Sequence, residues 1–280
     1  MALIMKLAIL ADIHANLPAL QTVAAHIDAW KPDRVVVAGD VVNRGPRPLE
    51  CLRFVQDKQR ASGWLAVRGN HEEYVISHAQ PDAPRSGPQF EIHRGSFWTY
   101  QRLDGDVSAL EAMPFQLSLS APDEGEVRVT HASMLGTREG IYTRTPDEEL
   151  GRKIGQPAPA LFCVGHTHIP LVRSLNGTLV VNVGAVGLPF DGDTRASYAQ
   201  LAWQRNEWHA EITRLGYDRR QAERDFEETG FIEEASAFAQ LVLVELRVAR
   251  SQIFEWMRRY EARVLAGEIT MQESVEEFLG

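Results

Sequence analysis

The chain has 280 residues and a formal net charge of −9 at neutral pH, with 44% hydrophobic and 24% charged residues. This balance is typical of a soluble globular protein, and the length allows one large domain or one domain with an appendage. The negative charge argues against a surface for bulk nucleic acid or for an acidic membrane, so neither is an expected partner.

Cysteine usage and hydropathy limit the class further. Cys51 and Cys163 are far apart without CxxC spacing, so we expect two small core residues and not a disulfide or a metal site. The segment MALIMKLAIL leads almost at once into Asp12 and His14, which is not the pattern of a secretory leader. The apolar run LVLVEL is broken by Glu245 and cannot span a bilayer. We therefore expect a cytoplasmic protein.

The first part of the chain alternates short β-branched runs with helical patterns. In order, the predicted elements are a strand KLAILADIH, a helix LPALQTVAAHIDAW, a strand DRVVVAGDVV, a helix PLECLRFVQDKQRA and a strand WLAVRGNH. A β-α-β-α-β order predicts a largely parallel sheet with helices packed on it.

Later strands are predicted at EVRVTHAS and LFCVGHTH, and two hairpins follow them. The first hairpin turns at Asn176-Gly177 and the second near Arg205-Asn206. Hairpins that come after parallel units indicate a second, more antiparallel sheet facing the first.

Two regions have helical patterns of their own. Residues 72–118 are predicted to be a helical insertion over one end of the sheet, with a break at QPDAPRSGP. Residues 218–280 are predicted to be a helical C-terminal extension with one apolar stripe. The stripe contains Phe238, Val242, Ala249, Ile253, Trp256, Tyr260 and Val264. We expect it to pack on the rest of the chain, with a homodimer contact as the alternative.

Five predicted strands end in polar residues of the types that bind metals. They are Asp12 and His14, Asp40, Asn70 and His71, His131, and His166 and His168. In α/β sheets functional sites form at the carboxyl ends of strands, so these side chains are expected to converge. Alternate residues of an extended segment point the same way, so Asp12 and His14 can share an ion, as can one or both imidazoles of His166 and His168.

The predicted ligands are carboxylates, imidazoles and one amide, without a thiolate. This set favours Mn²⁺, Fe or Zn²⁺ in a site with open positions over a closed structural zinc. It exceeds the needs of one ion, and a carboxylate such as Asp40 can bridge two, which together clamp a phosphoryl group. The remaining histidines lack such neighbours and are expected to be structural: His26, His78, His93 and His209.

The motifs D-x-H, GD, GNHE, a lone His and GHTH occur in this order and resemble those of the calcineurin-like metallophosphoesterases. The resemblance runs from about residue 6 to about residue 215. It implies an α/β fold, a four-layer αββα sandwich of two mixed sheets flanked by helices. We predict a metallophosphoesterase domain over 1–217, including the insertion at about 72–118, and the helical C-terminal extension over 218–280.

The same resemblance implies two divalent metal ions, with Mn²⁺ preferred and Fe or Zn²⁺ as alternatives. The implied ligands are Asp12, His14 and His168 for one ion, Asn70, His131 and His166 for the other, and Asp40 between them. His71 would lie beside the leaving group. The implied reaction is direct attack on phosphorus by a hydroxide held between the ions, without a covalent intermediate.

The segments GDVVNRGP and RGNHEEY most resemble the branch that contains bacterial dinucleoside-tetraphosphate hydrolases and Ser/Thr protein phosphatases. There the arginine contacts phosphate, a role that a planar guanidinium suits and that Arg44 would inherit. Protein phosphatases carry Asp at the position of Asn43, where it pairs with the catalytic histidine. A neutral Asn43 can orient His71 but stabilises its charged form less. Asn43 could instead only cap the following turn.

We therefore expect a metal-dependent phosphoesterase with the catalytic candidates His71, Arg44 and Asn43. A neutral Asn43 should slow the reaction least for leaving groups that need little protonation. We therefore favour a small, nucleotide-type phosphorylated substrate. Alternatives are a Ser/Thr protein phosphatase acting on phosphoprotein, a cyclic-nucleotide phosphodiesterase and, in another class, a metal-free protein-binding scaffold. Arg138 and Arg144, in the loop after His131, are candidate second phosphate contacts.

Overall fold

The computed structural model describes residues 5–280 and contains two five-stranded sheets. The strands are β1 Met5–Leu10, β2 Arg34–Val37, β3 Leu65–Ala66, β4 Gln116–Ser120, β5 Glu126–Thr130, β6 Leu161–Val164, β7 Leu171–Leu175, β8 Thr178–Asn182, β9 Ala196–Gln204 and β10 Glu207–Leu215.

Helices connect the strands and form the whole C-terminal region. They are α1 Leu17–Trp30, α2 Pro48–Ser62, α3 Asn70–Ser77, α4 Pro88–Arg102, α5 Ser108–Glu111, α6 Asp147–Ile154, α7 Arg219–Glu228, α8 Phe231–Glu234, α9 Phe238–Val248, α10 Ile253–Trp256, α11 Ala262–Leu265 and α12 Met271–Leu279. A π-helical turn, Met257–Glu261, joins α10 to α11. In the described residues no helix has the length and apolar character needed to cross a membrane.

The first sheet has the order β10-β9-β1-β2-β3 and the second β4-β5-β6-β8-β7. In the first, β1, β2 and β3 are parallel while β9 runs antiparallel to both β1 and β10. In the second, β5, β6 and β8 are parallel while β4 and β7 pair antiparallel at its edges. Both sheets are mixed, which confirms the predicted fold class. Each sheet has two parallel and two antiparallel pairings, so the expectation that the second sheet is the more antiparallel one is wrong.

Alternating side chains separate the layers of the sandwich, as expected for strands with two buried faces. Leu7 and Ile9 of β1 belong to one apolar cluster with Val127 and Val129 of β5, between the two sheets. The intervening Ala8 and Leu10 join the cluster formed with α1 and α2 on the outer face. Phe162 and Val164 of β6 pack with α6 on the far side. The result is the four-layer αββα arrangement.

Both predicted hairpins form at the predicted turns, but one prediction about them is wrong. The β7–β8 hairpin completes the second sheet as expected, whereas the β9–β10 hairpin joins the first sheet beside β1. The free side of β1, opposite β2, accepts β9. Periodicity identifies a hairpin but carries no information about which sheet edge receives it.

Two further expectations need correction. The 72–118 region is helical only in part, because β4 begins at Gln116 and forms the edge of the second sheet. The C-terminal apolar stripe does not lie on one continuous helix, because α9 ends at Val248 and Ala249 takes a left-handed conformation, φ 51°. Helices α7 to α12 form an apolar cluster with Trp98 of α4 and Leu188. The domain boundary at residue 217 stays a prediction.

Candidate metal centre

The seven predicted metal ligands converge at the carboxyl ends of strands from both sheets. Three loops follow β1, β2 and β3 of the first sheet, and two follow β5 and β6 of the second. The side chains are Asp12 and His14 after β1, Asp40 after β2, Asn70 at the start of α3, His131 after β5, and His166 and His168 after β6. The two sheets meet at this edge, so ligands 150 residues apart in the chain become neighbours.

One group of ligand atoms surrounds the first candidate metal position. His168 Nε2 lies 3.3 Å from Asp12 Oδ1 and 3.1 Å from His14 Nε2. His14 Nε2 lies 3.8 Å from Asp12 Oδ1 and 3.6 Å from Asp40 Oδ2. The ligand atoms of these four buried residues all lie within 4.8 Å of one another. Two carboxylates and two imidazoles at this spacing can hold one divalent cation.

A second group shares one carboxylate oxygen with the first. Asn70 Oδ1 lies 2.9 Å from His131 Nε2 and 2.9 Å from His166 Nδ1, and these two nitrogens are 3.3 Å apart. Asp40 Oδ2 is 3.3 Å from His131 Nε2, as well as 3.6 Å from His14 Nε2. Asp40 Oδ2 is therefore adjacent to both groups, and its bridging role stays a prediction.

The partners of the two aspartates test whether these residues fit metal ions. Asp12 Oδ2 accepts a hydrogen bond from the His166 amide and Asp40 Oδ1 accepts one from the His71 amide. Among the described residues, Asp12 Oδ1 and Asp40 Oδ2 are buried without any hydrogen-bond partner. A buried carboxylate oxygen left unpaired is costly unless a cation balances it. These two oxygens therefore fit a bound divalent cation.

Backbone carbonyls hold the ring orientation of three histidines. The Nδ1 atoms of His14, His131 and His168 contact the carbonyls of Asn43, Ala38 and Leu188 respectively. When neutral, a ring that donates its Nδ1 proton to a carbonyl has an unprotonated Nε2, which is the form that binds a metal. His166 differs because its Nδ1 atom faces Asn70.

The buried charges of the site shift the pKa values of its histidines. Burial disfavours a charged His131, but the Asp40 carboxylate outweighs it and raises the pKa of His131 to about 10. Burial, reinforced by His131, lowers the pKa of His166 to about 4. Positive charge is thus stabilised beside Asp40.

Local backbone geometry differs from the extended strands that we expected at the ligands. The φ angles are 54° for Asp12, 47° for His14, 55° for Asp40, 69° for His166 and 59° for His168. β1 ends at Leu10 and β6 at Val164, so both pairs lie in loops and the reason given for their sharing an ion is wrong. Left-handed non-glycine residues are strained, and such strain accumulates at functional sites.

Two glycines let these loops approach one another. A Cβ atom at Gly69 would overlap the Asp40 carboxylate, and one at Gly165 would overlap the Asp12 carboxylate. The glycines of the GNH and GH segments therefore indicate close packing of the loops around carboxylates.

Glu72 holds two of these loops together, a role that the sequence analysis missed. Its fully buried carboxylate accepts hydrogen bonds from the amides of Gly69, Asp40, Val41 and Val42. Burial and the nearby Asp40 charge raise the pKa of Glu72 to about 7. The acidic residue after GNH was a visible signal for this role.

Asn43 links the candidate catalytic residues. The Arg44 amide donates at 2.8 Å to Asn43 Oδ1, and a donor-only group identifies this atom as the oxygen. The Asn43 Nδ2 group therefore donates at 2.9 Å to His71 Nδ1. An accepting Nδ1 leaves the proton of a neutral ring on Nε2. Burial lowers the pKa of His71 well below its usual value, which agrees with a neutral ring.

Arg44 lies between the metal ligands and the C-terminal helices. Its Nη1 atom is 3.9 Å from Glu245 Oε2, and its guanidinium lies 5.9 Å from the ring centroid of Phe190. Phe190 in turn stacks on His168 with centroids 4.2 Å apart. Phe190 and Glu245 were not candidates from the sequence, although a lone carboxylate inside LVLVEL was a usable signal.

A cavity of about 480 Å³ opens over this centre. Asp40, Asn43, Arg44, Asn70, His71, His166 and His168 line its metal-binding end. The opposite wall comes from the C-terminal helices and α4, with Ile92, Phe231, Phe238, Val242, Ile253 and Phe254. A ligand that reaches the metal ligands would therefore also contact the C-terminal region.

Arg138 and Arg144 are not part of the group of candidate ligands, although Arg138 contacts Tyr74, whose ring packs on His71. Arg138 pairs with Glu73 at 3.3 Å and stacks over Tyr74, whereas Arg144 is exposed. Neither lines the cavity, and their role as phosphate contacts stays a prediction. Among the other histidines, His93 lines the cavity, which the sequence did not indicate. The remaining three are not among its lining residues: His26, His78 and His209. Cys51 and Cys163 are free and buried, as expected.

A two-sheet αββα sandwich with a mixed carboxylate, imidazole and amide cluster at its strand ends defines a metal-dependent hydrolase of phosphate esters. Residues 5–206 match the model of the calcineurin-like phosphoesterase superfamily domain, and the chain belongs to that family. The predicted resemblance and enzyme class are confirmed. The metal-free scaffold alternative loses support because all seven ligands are present.

The chain is similar to three further proteins over more than half of its length. An uncharacterized protein of Methanocaldococcus jannaschii is 27% identical over 234 residues, which cover 77% of this chain and 89% of that protein. The asymmetrical bis(5'-nucleosyl)-tetraphosphatase PrpE of Bacillus subtilis is 24% identical over 193 residues, covering 59% of this chain and 77% of PrpE. The crystal structure of a metallophosphoesterase from Sphaerobacter thermophilus is 26% identical, with a TM-score of 0.68, and the match covers 88% of this chain and 100% of that one.

Proteins named symmetrical bis(5'-nucleosyl)-tetraphosphatase match over short segments only. The chain spans 24%, 18%, 40% and 16% of the length of four of them. Similarity over such a small part of their length leaves their substrate a matter for proposal.

Proposed function

We propose that the chain is a phosphoesterase with two divalent metal ions that hydrolyses a small, nucleotide-type phosphate ester or anhydride. The observation that carries the proposal is Asp40 Oδ2, an unpaired buried carboxylate oxygen adjacent to two separate groups of ligand atoms. Asp12, His14 and His168 would hold one ion, and Asn70, His131 and His166 the other. Mn²⁺ is the preferred ion, with Fe or Zn²⁺ as alternatives.

Two bound ions would lower the pKa of water and neutralise phosphoryl charge, which supports direct attack of hydroxide on phosphorus. Phosphate binding and proton donation would be carried out by side chains that line the same cavity. Arg44 would bind a phosphoryl oxygen through its guanidinium, which is suited to an oxyanion. His71 would donate its Nε2 proton in a hydrogen bond to the leaving oxygen.

The polarity of Asn43 supports a leaving group that departs readily. Its Nδ2 group is a donor toward His71 Nδ1, so it favours the neutral imidazole over the imidazolium. A neutral imidazole is a weaker proton donor. A nucleotide released from an anhydride, or an aryl oxide, needs less protonation than a serine alkoxide. Ser/Thr protein phosphatase and cyclic-nucleotide phosphodiesterase activities stay alternatives.

One comparison favours a dinucleoside polyphosphate as the second candidate substrate. PrpE, named as an asymmetrical tetraphosphatase, matches this chain over 77% of its own length. The identity of 24% supports the fold and the metal site more than the choice of substrate.

The metal-loaded protein would be tested on an aryl phosphate, a bis-aryl phosphate, diadenosine tetraphosphate, a cyclic nucleotide and a phosphoserine peptide. We expect turnover of the aryl and nucleotide compounds well above that of the peptide. Asp40→Asn is the control for contaminating phosphatases and should abolish the activity. A preference for the phosphopeptide would contradict the proposed substrate class, and no turnover of any compound with any of the three metals would contradict the proposed function.

A further inference from the structure

The cavity wall opposite the metal centre is apolar and comes mainly from the C-terminal helices. Phe231, Phe238, Val242 and Ile253 line it from α8, α9 and α10. Ile92 of α4 continues this surface. We name these residues, together with Phe254 and Met257, the apolar wall.

The side-chain charges of the cavity disfavour one of the ligands that the proposed function leaves open, a polyphosphate chain. Among the described residues that line it, Arg44 is the single arginine or lysine, and Glu261 adds a carboxylate at the C-terminal side. A chain of several phosphates needs several cationic or amide contacts along its length. The cavity thus has provision for one phosphoryl group at the metal centre and an uncharged group beyond it.

The mouth of the cavity exposes large apolar side chains. Phe254 is 60% exposed, Tyr142 55% and Met257 40%, and all three line the cavity. Exposed apolar side chains gathered at one opening are typical of a binding surface. Met257 and Glu261 are the first and last residues of the π-helical turn, a feature that often occurs at functional sites.

Glu245 fixes the apolar wall relative to the phosphate contact. Its Oε1 atom accepts hydrogen bonds from Ser251 Oγ and from the amides of Gln252 and Ile253, at 3.1, 2.8 and 2.9 Å. Its Oε2 atom lies 3.9 Å from Arg44 Nη1. One buried carboxylate thus joins the start of α10 to the candidate phosphate-binding arginine.

We propose that the apolar wall is the site for the organic group bonded directly to the reacting phosphorus. It favours a planar, largely uncharged group such as a nucleoside or a naphthyl ring over a polyphosphate chain or the side chain of phosphoserine. In the reaction, oxygen from water bonds to phosphorus, the bond from phosphorus to the organic oxygen breaks, and that oxygen takes a proton. This inference rests on the proposed function, because the metal centre must hold the phosphoryl group.

Binding of phosphonates, which are not hydrolysed, tests the wall separately from catalysis. Calorimetric titration of the metal-loaded protein would compare 1-naphthylmethylphosphonate with methylphosphonate. We expect the naphthyl compound to bind at least tenfold more tightly, because the wall removes its ring from water.

Phe254→Ala and Met257→Ala are suitable variants because both side chains are exposed and their loss leaves the core intact. Each substitution should lower the affinity for the naphthyl compound by about five- to tenfold, roughly the effect of losing 40–55 Å² of apolar contact. Affinity for methylphosphonate should stay within about twofold, since it contacts only the metal-binding end. Val248→Ala is the matched control, because Val248 is also exposed, at 43%, on the same helical region but does not line the cavity.

Three results would overturn the inference. Equal affinities for the two phosphonates would show that the wall contributes nothing to ligand binding. Equal losses of affinity for both phosphonates in Phe254→Ala would indicate a general disturbance of the metal-binding end and not the loss of a contact with the naphthyl ring. Unchanged phosphonate binding together with weaker self-association in sedimentation would assign the exposed side chains to a contact between copies of the chain. A protein that binds neither phosphonate with any metal would instead contradict the proposed function.

Discussion

At the scale of single residues, Asn43 has the clearest chemical consequence. Its oxygen accepts from the Arg44 amide while its NH₂ group donates to His71 Nδ1. The two roles weighed from the sequence, orienting His71 and capping a turn, are therefore combined in one side chain. An aspartate here would reverse the polarity of the second contact, because a carboxylate is an acceptor only when ionised.

We expect Asn43→Asp to raise activity on alkyl phosphates relative to aryl phosphates by on the order of tenfold, less than the roughly 10²–10⁴-fold that a complete general acid contributes. An aspartate at 43 would accept from a protonated Nδ1 and stabilise the imidazolium of His71, which protonates a poor leaving group. The measurement is kcat/KM for a phenyl and an ethyl phosphate with the same metal.

Asn43→Ala separates this effect from simple loss of orientation. It removes both contacts of the side chain and should lower kcat/KM for the two esters, without the gain in the alkyl-to-aryl ratio. An Asn43→Asp variant that changes both esters by the same factor would contradict the role of polarity.

His131 provides a direct test of the ligand assignment. Its Nε2 atom lies 2.9 Å from Asn70 Oδ1 and 3.3 Å from Asp40 Oδ2, so His131→Ala should remove a ligand from one of the two positions. Elemental analysis after dialysis should show about half of the wild-type metal content. His209→Ala is the matched control, because His209 is 45% exposed on β10, and it should keep the full content. Equal metal content in the two variants would contradict the assignment.

At the scale of secondary-structure elements, the C-terminal helices depend on one buried carboxylate. Glu245 is the acceptor for three donors at residues 251–253, where the chain turns from α9 into α10. A buried donor left without an acceptor costs about 1–3 kcal/mol. Loss of this acceptor is therefore expected to destabilise the helical region.

Glu245→Ala should lower the free energy of unfolding by about 3 kcal/mol, since it leaves one buried and two partly buried donors unpaired. Glu245→Gln keeps an oxygen for the same donors and should cost about 1 kcal/mol or less. Urea denaturation followed by fluorescence of the six tryptophans measures the unfolding of the whole chain, including this region, where Trp256 is buried. Equal losses in the two variants would show that the negative charge beside Arg44, and not the acceptor role, provides the stability.

At the scale of the whole molecule, the metal centre connects the two sheets and concentrates negative charge where they meet. Two unpaired carboxylate oxygens, Asp12 Oδ1 and Asp40 Oδ2, are buried among the described residues near this edge. Cation binding to the folded state but not to the unfolded chain raises the stability of the fold by mass action.

Mn²⁺ at about a hundred times its dissociation constant should stabilise the fold by about 2.7 kcal/mol, a rise in Tm of roughly 5 °C for a chain of this size. Differential scanning fluorimetry with and without a chelator measures this shift. Asp12→Asn should abolish most of it, and should raise the Tm of the metal-free protein because it removes a buried, unpaired negative charge. An Mn²⁺ shift that survives Asp12→Asn unchanged would contradict the site.

The residue types of the centre could be predicted from sequence because each ligand stands in a short local motif. The GNH and GHTH segments combine glycine with metal-binding side chains, and the hairpins at Asn176-Gly177 and Arg205-Asn206 have local turn signals. Those predictions needed only neighbouring residues. The turns were found where they were expected, and the ligand roles stay predictions.

Long-range relations needed the tertiary structure. Strand periodicity could not tell that β9 would pair with β1, and it suggested extended backbone at Asp12 and His14, where the loops are left-handed. The sharing of Asp40 Oδ2 between two groups depends on loops from both sheets meeting within a few ångströms. The roles of Phe190 and Glu245 likewise depend on contacts with His168 and Arg44.

By itself the sequence determined the chemistry of this protein: which side chains are available as ligands, in what order, and that Asn43 is neutral. Only the tertiary structure decided their arrangement, the hydrogen bonds by which Glu72 holds two loops together, and the apolar wall that the C-terminal helices place over the centre. The physical reason is the distance along the chain over which each property is determined. Ligand type and turn preference are properties of a few adjacent residues, whereas convergence and burial arise from packing between segments that are distant in the chain.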